Sequence, residues 1–178
     1  MTFLSQRAFG QEIQIEEPEY IGEALILNDE GNFISTDNEI AAIHVGASLK
    51  VNSWNAISLV VEGGKAAARV TEGHPITLVV KAVDNQTNPL SIVRIYKLDG
   101  KKKKRSTILA KDNSDNIMTS KTYTKNQLKF TGKKYGTASY VITLNDVKPG
   151  EYGIVVSNPN NVDETRMVVA CFGVDKAQ

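Results

Sequence analysis

The sequence predicts an all-β protein, an antiparallel β-sandwich of Ig-like general architecture. Three observations carry this expectation. Apolar residues recur with period two in short β-branched runs. Gly, Asn or Pro turn signals bound those runs. No stretch holds a sustained apolar stripe at helical spacing. Short strands at this even spacing are the pattern of a sandwich.

Taken in chain order, the first expected strand is residues 20–27, stopped by the turn NDEGN at 28–32. Residues 39–44 and 57–61 follow, the second closed by EGGK at 62–65. Residues 76–83 lie between EGHP (72–75) and DNQTNP (84–89). Residues 91–98 and 106–110 flank LDGKK (98–102), in which Asp99-Gly100 is a strong hairpin signal. Residues 139–144, 152–157 and 167–172 read as a three-strand meander, with Pro149-Gly150 turning the chain into the second strand and Asn158-Pro159-Asn160 ending it. Alternation puts Tyr152, Ile154 and Val156 on one face. A tyrosine two residues past a Pro-Gly turn is expected to pack over a corner and to donate its hydroxyl to nearby backbone.

The chain has 178 residues, enough to bury a core without metal or disulfide, and is expected to form a single domain over residues 12–178. Residues 1–11 are expected to be a signal-peptide remnant or a disordered arm. Ala8-Phe9-Gly10 places small residues two apart before Gln11, the spacing that signal peptidase reads, and an acidic stretch follows. There is no basic n-region and the apolar run is short, which fits a Met1 lying inside a longer signal peptide. A net charge of +1 gives no global field toward nucleic acid or an anionic membrane. One cysteine excludes an intrachain disulfide and a multi-cysteine zinc site. No apolar run approaches the roughly 20 residues that span a bilayer.

The run DNQTNPLSIVRIYKLDGKKKKR, followed at a distance by KYGTASYVITLNDVKPGEYGIVVSNPN and closing with CFGVD, resembles a set of secreted bacterial proteins common in Bacteroidetes. In that set a Lys/Arg-rich hairpin, a PGEYGF-like turn and a terminal FGVD recur in order. The resemblance covers about residues 76 to 175. It implies export and an all-β domain, and it carries over no catalytic residue.

Candidate ligand or interface residues are Lys101, Lys102, Lys103, Lys104 and Arg105, and Trp54. The five consecutive basic residues suit a polyanion such as teichoic acid, lipopolysaccharide phosphate or an acidic glycan. The favoured reading is a hairpin tip whose cations stand in water and blunt a strand edge. The native protein is expected to bind polyanions through them only weakly, without selectivity, and not at about 0.15 M salt, where the Debye length is about 8 Å. Specific nucleic-acid binding is not expected, because no aromatic-rich stacking strand lies beside the run. Trp54, in the polar stretch NSWNA, reads as a core anchor or an exposed stacking residue.

His44 and His74 lack further ligands at metal spacing, and Cys171 lies in the apolar run MVVACFGV as a small buried hydrophobe. Neither KDNSDN (111–116) nor NPNNVDE (158–164) follows calcium-loop spacing. Asn85-Gln86-Thr87 matches the N-glycan acceptor pattern. The expectation is therefore an exported, non-enzymatic binding or interaction module of the bacterial envelope or extracellular space. Its expected partner is a surface glycan or another envelope protein, with no cofactor, metal or catalytic residue. The alternative is a structural subunit of an appendage or virion, with an enzyme a distant third.

Overall fold

The computed structural model describes residues 15–47, 54–113, 121–122 and 125–178. In chain order the elements are β1 (Ala24–Leu27), β2 (Phe33–Ser35), β3 (Asp37–Ala47), β4 (Trp54–Glu62), β5 (Arg69–Thr71), β6 (Ile76–Lys81), α1 (Pro89–Ile92), β7 (Val93–Gly100), β8 (Lys104–Asn113), β9 (Lys121–Thr122), β10 (Thr131–Tyr135), β11 (Ser139–Leu144), β12 (Gly150–Val156) and β13 (Arg166–Asp175). The all-β expectation holds.

One layer is a five-stranded sheet in the order β10-β11-β6-β1-β2. The second layer departs from the expected open sandwich. Its strands run β12-β7-β8-β4-β3-β13, and β13 pairs back onto β12, so six strands close into a barrel. Closure removes the free edges an open sheet would leave. β5 adds to β13 as a short parallel strand. β3 pairs β13 along its first half and β4 along its second, the stagger that a tilted barrel requires. A register shift at Ile57/Ser58 adds local twist between β4 and β8.

Alternation along the barrel strands serves two cores at once. Val93 and Ile95 of β7, Tyr152 and Ile154 of β12, and Ala170 and Phe172 of β13 face the five-stranded sheet, where they meet Ile26, Leu78, Tyr140 and Ile142. The opposite faces of the barrel strands supply Leu59, Val61, Tyr96, Leu98, Val169 and Cys171 to a second cluster. Strands buried on both faces carry near-continuous apolar runs, which is why MVVACFGV reads as it does.

Tyr152 stacks on Phe172 with ring centroids 5.4 Å apart and donates its hydroxyl to the Lys148 carbonyl at 2.5 Å, the corner contact the sequence suggests. The expected meander does not form. β11 pairs β6 and β10 in one layer, while β12 and β13 belong to the barrel, so the Asn145–Pro149 connection crosses between layers.

The expectation for residues 1–11 lies outside the described residues. The described chain starts on the five-stranded sheet, held by the Tyr135 hydroxyl, which accepts from Ile15 N at 2.8 Å and donates to Ile15 O at 2.5 Å. Two residues on, the Glu17 carboxylate accepts from Thr137 N, Thr137 Oγ1, Ala138 N and Ser139 Oγ at 2.6 to 3.0 Å, and from Lys81 Nζ at 3.2 Å. Gly136, at φ +53°, leaves the room: a Cβ there would come within 2.3 Å of the Glu17 carboxyl.

Candidate functional site

The basic run LDGKKKKR forms the β7–β8 hairpin, but Asp99 and Gly100 do not make the turn. They pair with Ser106 and Arg105, and the chain reverses over Lys101–Lys104, with Lys101 N donating to Lys104 O at 2.8 Å. The tip is docked rather than free. Gly63 N donates to Lys103 O at 2.8 Å, and Gly64 lies so close beneath that a Cβ would stand 2.6 Å from the Lys101 carbonyl oxygen. The EGGK turn and the hairpin tip therefore interlock backbone to backbone at one end of the barrel.

Arg105 corrects the picture of five solvated cations. Lys101 to Lys104 are exposed, whereas Arg105 is 1% exposed and points into the barrel end. Its Nε donates to Gly63 O at 3.0 Å and its Nη2 to Glu62 O at 3.2 Å, which holds the turn carrying Lys65. Nη1 stands 3.6 Å from Glu151 Oε2 and has no hydrogen-bond partner among the described residues. Glu151 on β12 is itself buried. Its Oε2 accepts from Ala66 N and its Oε1 from Arg69 Nη1, both at 2.8 Å. Arg69 then grips both oxygens of Asp175 at 2.7 Å, a bidentate pair whose hydrogen bonds hold the Asp175 carboxyl below its ordinary value.

Above this network an open cleft of about 760 Å³ is lined by Lys65, Lys97, Lys101 and Lys102, with Asp99 beside them and Glu151 at the floor. Lys97 leans its aliphatic end against Gly150. Four lysines from three segments thus converge on one hollow, and none makes an ion pair among the described residues. The floor carboxylate is already engaged by two arginines and does little to neutralise them. The cleft is an anion-attracting surface on a rigid base. Lysine supplies compact, strongly hydrated point charges, suited to phosphate, sulfate or carboxylate groups without a fixed bidentate geometry.

Of the residues the sequence singles out, Lys101 and Lys102 line this cleft. Lys103 and Lys104 are exposed beside it, and Arg105 braces it from inside. Trp54 is not part of it. Its backbone starts β4 opposite Asn113, eight residues and roughly 26 Å of strand from Glu62, and its side chain lies outside the described residues. Lys65 and Glu151 escape sequence reasoning because β4–β8 and β12–β7 pairing, not spacing, brings them to the tip, whereas Lys97 lies four residues before Lys101 on the same hairpin. The EGGK turn offered the one available hint, a lysine at a Gly-Gly bend.

The other motifs have structural partners. Cys171 is fully buried opposite Asp37, and burial pushes its thiol up to about 12. His44 is exposed seven residues further along β3, roughly 23 Å away, so the two form no thiol dyad. His74 Nε2 lies 3.3 Å from Asp29, a carboxyl that Thr71 holds low by hydrogen bonding. No three potential ligating side chains converge among the described residues. Asn85 of the glycan-acceptor pattern is buried, its Nδ2 donating to the Tyr135 and Gly136 carbonyls at 3.1 Å, so the pattern is not an accessible acceptor. KDNSDN falls in large part outside the described residues. In NPNNVDE, Asp163 Oδ1 accepts from Thr165 N and Oγ1, a local turn. Among the described residues no helix is long and apolar enough to cross a membrane.

No protein family, curated protein or solved structure matches this chain.

Proposed function

We propose that the protein is an exported, non-enzymatic binding module of the bacterial envelope or extracellular space, and that it holds an anionic surface glycan in the cleft at the barrel end. The observation that carries this reading is the convergence of Lys65, Lys97, Lys101 and Lys102 above a floor whose own carboxylate is already paired. Four like charges held near one another by an interlocked backbone repel, and an anion placed among them relieves that repulsion. A docked tip also gives up less conformational entropy on binding than a free loop would. These two effects carry the reading beyond the weak, unselective binding that the sequence leads one to expect of the protein.

The test is calorimetric titration of a heparin-derived oligosaccharide at 0.15 M salt. The wild-type protein is expected to bind, and the Lys97→Ser/Lys101→Ser/Lys102→Ser variant to lose at least about tenfold in affinity, with a melting temperature within about 2 °C of wild type because exposed lysines contribute little to folding. Equal binding by the two proteins would refute the site. The oligosaccharide should be recovered chemically unchanged, and the native protein should be found in the periplasmic or extracellular fraction of its host.

The alternative of a structural subunit draws on a different feature. β3 and β4 continue past the start of β13 and carry Val45 at 76% exposure. Light scattering separates the readings: filaments or stable higher oligomers favour the subunit, a monomer the binding module.

A further inference from the structure

The cleft does not end at Lys97. A second hollow of about 260 Å³ shares Lys97 and adds Lys129 and Lys148, with Asp146 and Tyr152 also in its lining. Across the two hollows six lysines face three carboxylates, and one of those, Glu151, is held by Arg69 and Arg105. The cations come from the turn after β4, the β7–β8 tip, β7 itself, the segment before β10 and the crossing before β12. Lys97 lines both hollows, with Lys65, Lys101 and Lys102 in the first and Lys129 and Lys148 in the second. The two sets share one member, Lys97, which makes the hollows neighbours along a track.

Resting on the function proposed above, we infer that the ligand is a linear polyanionic glycan, with acidic groups on successive units, lying across Lys97 with charges in both hollows. The surroundings disfavour the other linear polyanions. Single-stranded nucleic acid is held largely by stacking on aromatic faces. The aromatic ring along this track, Tyr152, is 2% exposed and committed to Phe172 and the Lys148 carbonyl. An acidic peptide gains most from adding a strand to an open sheet edge. Here β12 is already paired on both sides, by β7 and β13, and beside β7 the chain at 126–128 takes up backbone groups: Lys97 N donates to Asn126 O at 2.8 Å and Leu128 N to Ile95 O at 2.7 Å. What the track offers is charge at intervals, the feature a sulfated, phosphorylated or uronic-acid chain can match.

The experiment compares a heparin-derived decasaccharide with the disaccharide at 0.15 M salt, on wild type and on two variants. The decasaccharide should bind at least about tenfold more tightly than the disaccharide, because its later charges engage intramolecularly once the first are seated. Lys129→Ser/Lys148→Ser should cut decasaccharide affinity about tenfold and lower the magnitude of its log affinity–log salt slope by about 1 to 2, one increment per lost contact. The same variant should leave disaccharide affinity within about twofold, since the changed residues lie beyond Lys97. Lys101→Ser/Lys102→Ser should weaken both ligands. Decasaccharide binding that depends on Lys101 and Lys102 but ignores Lys129 and Lys148 would overturn the two-hollow track while leaving the binding module standing. Failure of both glycans to bind would overturn the two together. Polyglutamate or oligothymidylate binding as tightly as the decasaccharide would overturn the glycan class.

Discussion

Arg105 and Lys103 are two residues apart in one basic run and have opposite roles. Arg105 is 1% exposed and holds the Glu62 and Gly63 carbonyls while facing Glu151, so Arg105→Ala removes one side of a buried charge pair and orphans two acceptors. That loss is expected to cost about 3 to 5 kcal/mol. A domain of this size should then melt roughly 6 to 20 °C lower. Lys103→Ala, at an exposed position, should stay within about 0.5 kcal/mol of wild type. Thermal unfolding of the two variants checks the contrast, and a similar small effect for both would show that Arg105 is not the brace. The sequence held a clue to this split. Arg105 and Thr107 fall two apart on the buried face of β8, but reading the run as a block of charge masks the alternation. The second prediction at this scale concerns Cys171. With its thiol pushed up to about 12 by burial, almost no thiolate exists at pH 8, and the side chain is fully buried. Labelling by a thiol reagent should be slow in the native state and accelerate only as denaturant unfolds the chain. A native rate near that of the unfolded protein would contradict it.

The segment that enters β1 behaves as a strap, pinned at Ile15 by Tyr135 and at Glu17 by the β10–β11 turn. Burial raises the Glu17 carboxyl, but the bonds from Ser139, Thr137 and Ala138 outweigh it and hold the group well below the usual carboxylate range. A depressed folded value means the ionised group stabilises the fold. That contribution is complete above the ordinary value of 4.5 and is lost progressively as pH falls below it. Glu17→Ala should therefore lower stability by about 2 to 3 kcal/mol at pH 7, the scale of hydrogen bonds to a charged group, and the difference from wild type should shrink under acid. Deletion of residues 1–11 should leave the melting temperature within about 2 °C. A fall as large as that of Glu17→Ala would place the essential contacts upstream of the strap.

Element by element, what could be read in advance depended on length and alternation. β6 and β11, six residues each, are β-branched and apolar, and they fall within the runs expected at 76–83 and 139–144. β2 and β5 have three residues each, too few to show a period, and β10 reads TGKKY, with lysines where an edge strand faces water. The Asn145–Pro149 connection looks like a hairpin turn in sequence yet carries the chain between layers, because nothing in local spacing reports which strand a neighbour will pair with.

At the scale of the molecule, the barrel and the site arise together. Pairing of β12 with β7 sets Glu151 opposite Leu98, next to the β7–β8 tip, and the interlock of Gly64 with the tip brings Lys65 to Lys101 and Lys102. Lys97, Lys101 and Lys102 lie on one hairpin and are close in sequence, whereas Lys65 and Glu151 join them only through strand pairing that no sequence separation reports. The most direct test is amide chemical-shift mapping by NMR as the heparin-derived decasaccharide is added at 0.15 M salt. Binding in the cleft predicts the largest shifts at Gly64, Gly100 and Gly150, glycines that line it, with little change at Gly31, which does not. Shifts concentrated on the outer halves of β3 and β4, or no shifts at all, would contradict the assignment of the barrel-end cleft as the binding site.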